Sequence, residues 1–184
     1  MRDQILKEAR LGLRLDHRNL VQLFGVLEKE NNKRRQIGTE IFEDVCRRIE
    51  AEHDLETEKM IVMGDASWHP GVLGIVASRI AEKYYRPVFL FSIEEGIARG
   101  SARSIKGIDL FNTLSECEEL FERFGGHEMA AGGTLRADRI EELRGALNKL
   151  IDLNPSEMIP EIEFDCSLEL KDINDSFLAE IARL

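Results

Sequence analysis

Two short, unbroken apolar runs constrain this chain more than any other feature. Met60-Ile61-Val62-Met63 ends at Gly64, and Pro87-Val88-Phe89-Leu90-Phe91 ends ahead of the polar turn Glu94-Glu95-Gly96. Such runs, bounded by turn residues, are too short for buried helices and fit strands covered on both faces. Between them, after the loop 65–71, Val72, Ile75, Val76 and Ile80 recur at helical spacing. Ile97 to Ser104 reads as the hairpin partner of the second run. Asp109 is placed to cap a helix bearing Leu110, Phe111, Leu114, Leu120 and Phe121, and Asp138 to cap one bearing Ile140, Leu143, Leu147 and Leu150. Between those helices, Gly125-Gly126-His127 reads as a loop and Thr134-Leu135 as a short strand. Strands alternating with helices predict an α/β domain over residues 58–153, a mixed sheet flanked by helices.

Upstream, Leu20, Leu23, Phe24 and Leu27, then Ile37, Ile41, Val45 and Ile49, keep helical spacing on either side of the polar segment 28–36. So thin a stripe over that length predicts a long connector helix within residues 1–57, N-capped by Asp16, rather than a core helix. Leu6, Leu11, Leu13 and Leu15 stand among charges, as in a helix entered midway. Downstream, Asn154-Pro155-Ser156 and Pro160 punctuate a boundary. Beyond it Ile162, Phe164, Cys166, Leu168 and Leu170 alternate as a half-buried strand, and a helix starts at Asp175. Residues 154–184 therefore read as the edge of a following domain.

Length and composition, 184 residues with 43% hydrophobic and 33% charged, are those of a globular protein with a real core. No apolar run approaches the ~18 residues of a membrane span, and Met1-Arg2-Asp3-Gln4 lacks a secretory signal. Cys46, Cys117 and Cys166 are odd in number and widely spaced, so neither a disulfide framework nor a zinc site is indicated and a cytoplasmic location is expected. A net charge of −10 opposes bulk attraction to nucleic acid, but it is unevenly spread. Residues 79–106 carry six cations against three acids, whereas from Asp138 onward twelve acids face five cations. Any nucleic-acid contact is expected in the middle of the chain.

That middle holds the chemistry. Arg99-Gly100-Ser101-Ala102-Arg103-Ser104 sets guanidinium groups and hydroxyls beside a glycine. Phe124-Gly125-Gly126-His127 places an imidazole after two glycines and ahead of the small residues Ala130-Ala131-Gly132-Gly133. Arginines, hydroxyls, close-approaching amides and imidazole are the usual protein partners of a phosphate. His69, ahead of Pro70-Gly71 at a helix start, stands at a similar anion-binding corner. Read blandly, these glycines make turns and the histidines cap them.

The Gly100-Ser101-Ala102-Arg103-Ser104 block, the Phe124-Gly125-Gly126-His127 and Ala130-Ala131-Gly132 blocks, and Trp68-His69-Pro70-Gly71-Val72-Leu73-Gly74-Ile75-Val76-Ala77-Ser78-Arg79 mark the chain at three places. Together they resemble the DHH-associated domain of the RecJ family of single-strand-specific exonucleases, over roughly residues 58–150. The resemblance implies a substrate-gripping domain that closes over a separate DHH catalytic domain of the same parent protein, where Mn or Mg is expected. No cofactor and no metal ligands are expected in this chain. Asp16-His17-Arg18 is not the family's Asp-His-His metal motif, because its third residue is arginine and no companion aspartates stand on neighbouring strands.

Carried onto this sequence, the resemblance implies that Ser101, Arg103 and Ser104 hold a phosphate of single-stranded DNA. It gives His127 the catalytic position at the scissile or terminal phosphate, lets Gly125 and Gly126 bring backbone close, and makes His69 a weaker contact. The chain alone is expected to bind single strands weakly and cut none. Two other readings stay open: a DHH-family phosphoesterase of short oligonucleotides or cyclic dinucleotides, and a non-catalytic nucleic-acid-binding module. The block from Trp68 to Arg79 and the long helix favour the exonuclease.

Overall fold

The structure, a computed structural model, describes residues 17–153, 158–160, 167–169 and 173–181. It opens with α1, His17–Glu52, a single helix of 36 residues, about 54 Å long at 1.5 Å per residue. Its described side chains before Ile37 lie exposed, while Ile41, Val45 and Ile49 are buried. The helix therefore packs through its C-terminal half, while its side chains at 26–36 are exposed. Asp16 and residues 1–15 fall outside the described residues, as do most of the strand expected at 162–170 and the boundary residues 154–157.

After α1 come β1 (Ile61–Asp65), α2 (Leu73–Tyr84), β2 (Val88–Glu94), β3 (Ile97–Arg103), α3 (Leu110–Ser115), β4 (Arg123–His127), β5 (Ala130–Arg136), α4 (Ile140–Leu150) and α5 (Asp175–Ile181). The strands form one five-stranded sheet in the order β1-β2-β3-β5-β4. β1 and β2 run parallel, joined through α2, and every other pairing is antiparallel. The sheet is thus mixed, as expected. Val62, Phe89, Phe91, Ala98, Ala102 and Leu135 pack under α3 and α4 on one face. Ile61, Met63, Val88 and Leu90 pack under α1 and α2 on the other. Residues of both faces alternate along β1 and β2, which explains their unbroken apolar runs.

Four local expectations need correction. Gly125-Gly126-His127 is not a loop but the end of edge strand β4, and Thr134-Leu135 belongs to the seven-residue β5. Leu120 and Phe121 lie beyond α3, with Leu120 closing a separate 3-10 turn, Glu118–Leu120. Asp109 does cap α3, accepting from the Asn112 N–H, but Asp138 caps nothing: its carboxylate is held by Arg136, and α4 begins after a 3-10 turn. Ile75 points outward, 66% exposed, although Val72, Val76 and Ile80 are buried.

β1 is an edge strand, and the two residues just ahead of it are held by a side chain of α4. Asn148 Oδ1 accepts from the N–H groups of Lys59 (2.6 Å) and Met60 (3.0 Å), and its Nδ2 donates to the Met60 carbonyl (3.0 Å). Asn148→Ala is expected to destabilise the domain by about 1–3 kcal/mol, since these partly buried groups lose their partner. Urea unfolding would measure this, and an unchanged midpoint would show that water serves them as well. Among the described residues, no helix is long and apolar enough to cross a membrane.

Candidate phosphate-binding groove

The sheet is unequally covered. α1 and α2 lie over β1, β2 and the near side of β3, and leave the same face of β5 and β4 open. Directly opposed residues of antiparallel strands share a face, so the register fixes what that open half presents. Arg103, Ala130 and His127 form one row, Ser101, Gly132 and Gly125 the next, and Arg99, Thr134 and Arg123 the third. Ile97 and Arg136 add a fourth. No strand position on this face of β3, β5 and β4 carries a carboxylate; apart from the imidazole of His127, every ionisable one is arginine.

A cleft of about 340 Å³ runs between this face and the turn at residues 70–73, lined by Pro70, Leu73, Arg99, Ser101, Arg123 and Thr134 among others. The Ser101 side chain makes no hydrogen bond to a described residue. Arg99 makes a loose, exposed ion pair with Glu94 at 3.6 Å, of the kind that holds weakly in water. Arg123 is exposed and forms no ion pair with a described residue.

Arg103 lies one row beyond Ser101 and lines a neighbouring cleft with Ser78, Ala81 and Glu82 of α2; its Nη1 donates to the Ala102 carbonyl at 2.7 Å. The guanidinium lies against Gly74 of α2, whose absent Cβ would stand 2.8 Å from Nη2. Arg103 and His127 thus share a row and a face, two strand spacings apart, or about 9–10 Å between backbones. His127 is exposed beside the two-residue turn 128–129. That turn is pinned by bonds from the Ser104 N–H to the Met129 carbonyl and from the Leu110 N–H to the Glu128 carbonyl.

The two adjacent glycines of β4 have different reasons to be glycine. A Cβ on Gly126 would stand 2.5 Å from the Ala130 carbonyl oxygen, so packing on the covered side requires glycine there. A Cβ on Gly125 would meet nothing within 4 Å. The fold leaves that position free, and its bareness opens the floor of the face to a ligand's approach.

Ser104 does not join the others. It points to the covered face, 8% exposed, and its hydroxyl donates to the Ile108 carbonyl at 2.7 Å. His69 caps the 3-10 turn Pro70–Val72, its Nδ1 accepting from the Gly71 N–H at 3.0 Å. With Nδ1 so used, the ring proton sits on Nε2. His69 lines a second cleft that shares Arg99 and Pro70 with the groove, so it stands at the groove's far end. Its neighbour Trp68 is buried and donates from Nε1 to Asp44 of α1 at 3.0 Å. Ahead of it, the hydroxyl and N–H of Ser67, then Arg48 of α1, hold the Asp65 carboxyl below its ordinary range. These contacts dock the 65–71 loop on α1.

Arg123 and Thr134 were not singled out from the sequence. Reading residues 123–127 as a strand would have found Arg123, since period-two alternation aligns it with Gly125 and His127. Among the described residues, no group of three or more His, Cys, Asp or Glu could hold a metal ion.

The DHHA1 domain family matches residues 57–152 of the chain. The single-stranded-DNA-specific exonuclease RecJ of Bacillus subtilis (strain 168) is 38% identical over 167 residues, covering 89% of this chain and 21% of its own length. The protein of the same name from Escherichia coli (strain K12) is 34% identical over 128 residues, covering 66% of this chain and 22% of its own length. A crystal structure of RecJ in complex with Mg2+ from Thermus thermophilus aligns with a TM-score of 0.65 and 34% identity, over 76% of this chain and 21% of that one. The chain thus spans about a fifth of the length of these relatives.

Proposed function

The chain belongs to the DHHA1 domain family, and on that premise we propose that it is the phosphate-gripping part of a RecJ-like exonuclease specific for single-stranded DNA. The groove holds the DNA backbone opposite a metal-dependent DHH catalytic domain of the same parent protein, working in the cytoplasm. One observation carries this reading: in a chain of net charge −10, the uncovered half of the sheet presents arginines, a histidine, hydroxyls and bare backbone, with no carboxylate among its strand positions. Charge-assisted hydrogen bonds to phosphate need those groups and no carboxylate beside them.

Within the groove, Arg103 and Ser101 hold one phosphate, and Arg99 and Arg123 the next along the strand. Gly125 lets backbone approach the DNA, and His127 meets the scissile or terminal phosphate from the open edge. His69 offers its Nε2–H at the far end. Ser104 keeps a structural role, closing the turn at 105–108. The metal-dependent chemistry would belong to the DHH domain, where Mn or Mg would activate the attacking water.

The paired glycines test the reading. Gly125→Val is expected to change unfolding stability by less than about 1 kcal/mol, the span of strand propensities. It is expected to weaken binding of a fluorescently labelled single strand roughly tenfold, by displacing one backbone–phosphate contact. Gly126→Val should instead lower stability, since its side chain would collide with β5. If a folded Gly125→Val protein binds as tightly as the wild type, the strand does not cross β4.

A further inference from the structure

The turn at residues 70–73 walls two clefts. Pro70 and Leu73 line the groove, while Gly71 and Val72 line a larger cleft of about 480 Å³ between α1 and α2. Arg34 and Arg35 from α1 and Arg79 from α2 line that second cleft, with Asn31, Thr39 and the exposed Ile75, and no acid lines it. None of the three arginines forms an ion pair with a described residue. Arg79 is held in place by stacking, its Cζ 4.0 Å from the centroid of the Phe42 ring.

Gly38 adds an independent observation. It sits in the middle of α1 on the cleft wall, where glycine costs about 1 kcal/mol relative to alanine. Nothing stands within 4 Å of the place its Cβ would occupy, so packing does not ask for glycine there. The missing side chain keeps the cleft open. Three guanidinium groups without ion-pair partners around an open wall suit phosphates, and the bare Ile75 suits the apolar face of a sugar or base.

We propose that this cleft binds backbone phosphates of the same single strand that lies in the sheet groove, extending its path across the 70–73 turn. The proposal rests on the groove reading above and adds a second, separable subsite. Strands too short to cross the turn ignore the cleft; longer ones gain affinity from it.

The test is fluorescence anisotropy of this chain with 5′-labelled oligothymidylates from two to sixteen nucleotides, over a series of sodium chloride concentrations. The Arg34→Gln/Arg35→Gln double variant, which changes only exposed side chains, is compared with wild type and with Arg123→Gln. On the shortest strands the double variant should match wild type, and on the longest it should bind roughly tenfold more weakly. Its log–log salt dependence there should be shallower by about 1.4, for two phosphate contacts on a single strand. Gly38→Leu, which fills the cleft without changing charge, should show the same length-dependent loss.

Equal affinity of wild type and double variant at every length would overturn the cleft subsite and point to a protein partner for the arginines. An equal loss at every length, the shortest included, would also overturn it as a separate subsite. Failure of the groove reading looks different: Arg123→Gln then binds like wild type throughout. If no strand binds the wild type at any salt concentration, both are wrong.

Discussion

Replacing Arg86 by methionine is expected to lower the unfolding free energy by about 3–5 kcal/mol, the combined cost of orphaning one buried and three partly buried acceptors. Arg86 is 8% exposed, and its guanidinium donates to the carbonyls of Leu55 (3.2 Å), Glu58 (3.4 Å), Tyr85 (3.0 Å) and Met158 (3.2 Å). Those carbonyls come from the α1–β1 connection, the end of α2 and the segment after α4, so one side chain ties three parts of the chain. Each orphaned acceptor costs about 1–3 kcal/mol, less where the carbonyl can turn to water. Burial lowers the pKa of Arg86 from its ordinary value, but an arginine keeps its charge at any pH the fold survives. Against a typical stability of about 5–15 kcal/mol the loss is large, and it corresponds to a fall in Tm of roughly 6–20 °C for a chain of this size. Arg86→Lys should recover only part, because an ammonium cannot span four carbonyls. A melting temperature for Arg86→Met within a degree or two of wild type would show that the segments hold one another without the clamp.

The parts of the fold that are legible in the sequence are those where burial on both faces leaves no ambiguity. β1 and β2 read as strands because helices cover both sides of them, and the later half of α1 reads as a helix because Ile41, Val45 and Ile49 keep helical spacing and are buried. β4 is illegible for a complementary reason. Its Gly125 and Gly126 are poor strand formers in isolation; pairing with β5 and the close contact of Gly126 with Ala131 make them a strand. Helical spacing cannot separate Ile75, which faces a cleft, from Val76, which faces the core. Neither can motif spacing show that Ser104, one residue past Arg103, turns to the other face and is used by its own turn. At the site, the motif residues Ser101, Arg103, Gly125 and His127 do share one face, whereas Arg123 enters only through the register.

Arg103→Ala is expected to weaken single-strand binding by about 10- to 150-fold at low salt. A charge-assisted hydrogen bond contributes roughly 1.5–3 kcal/mol, and 1.4 kcal/mol is a factor of ten. Arg103 spends one N–H on the Ala102 carbonyl, which fixes its plane and leaves the rest of a five-donor fork for a phosphate. Arg103→Lys should therefore restore the charge but only part of the affinity. A second variant separates position from charge. Gly74→Ala keeps Arg103 but puts a methyl group where its Nη2 now rests. Because alanine favours a helix over glycine by up to about 1 kcal/mol, this change should leave stability equal or higher while binding falls several-fold. In a full-length parent protein, Arg103→Ala should depress Mn-supported digestion of a 5′-labelled single strand and leave metal binding intact, since the arginine touches the substrate and not the metals. Wild-type cleavage by that variant would remove Arg103 from the groove. A loss of binding by Arg103→Ala matched by a loss of fold, with Gly74→Ala binding normally, would make the arginine a packing residue of β3 against α2.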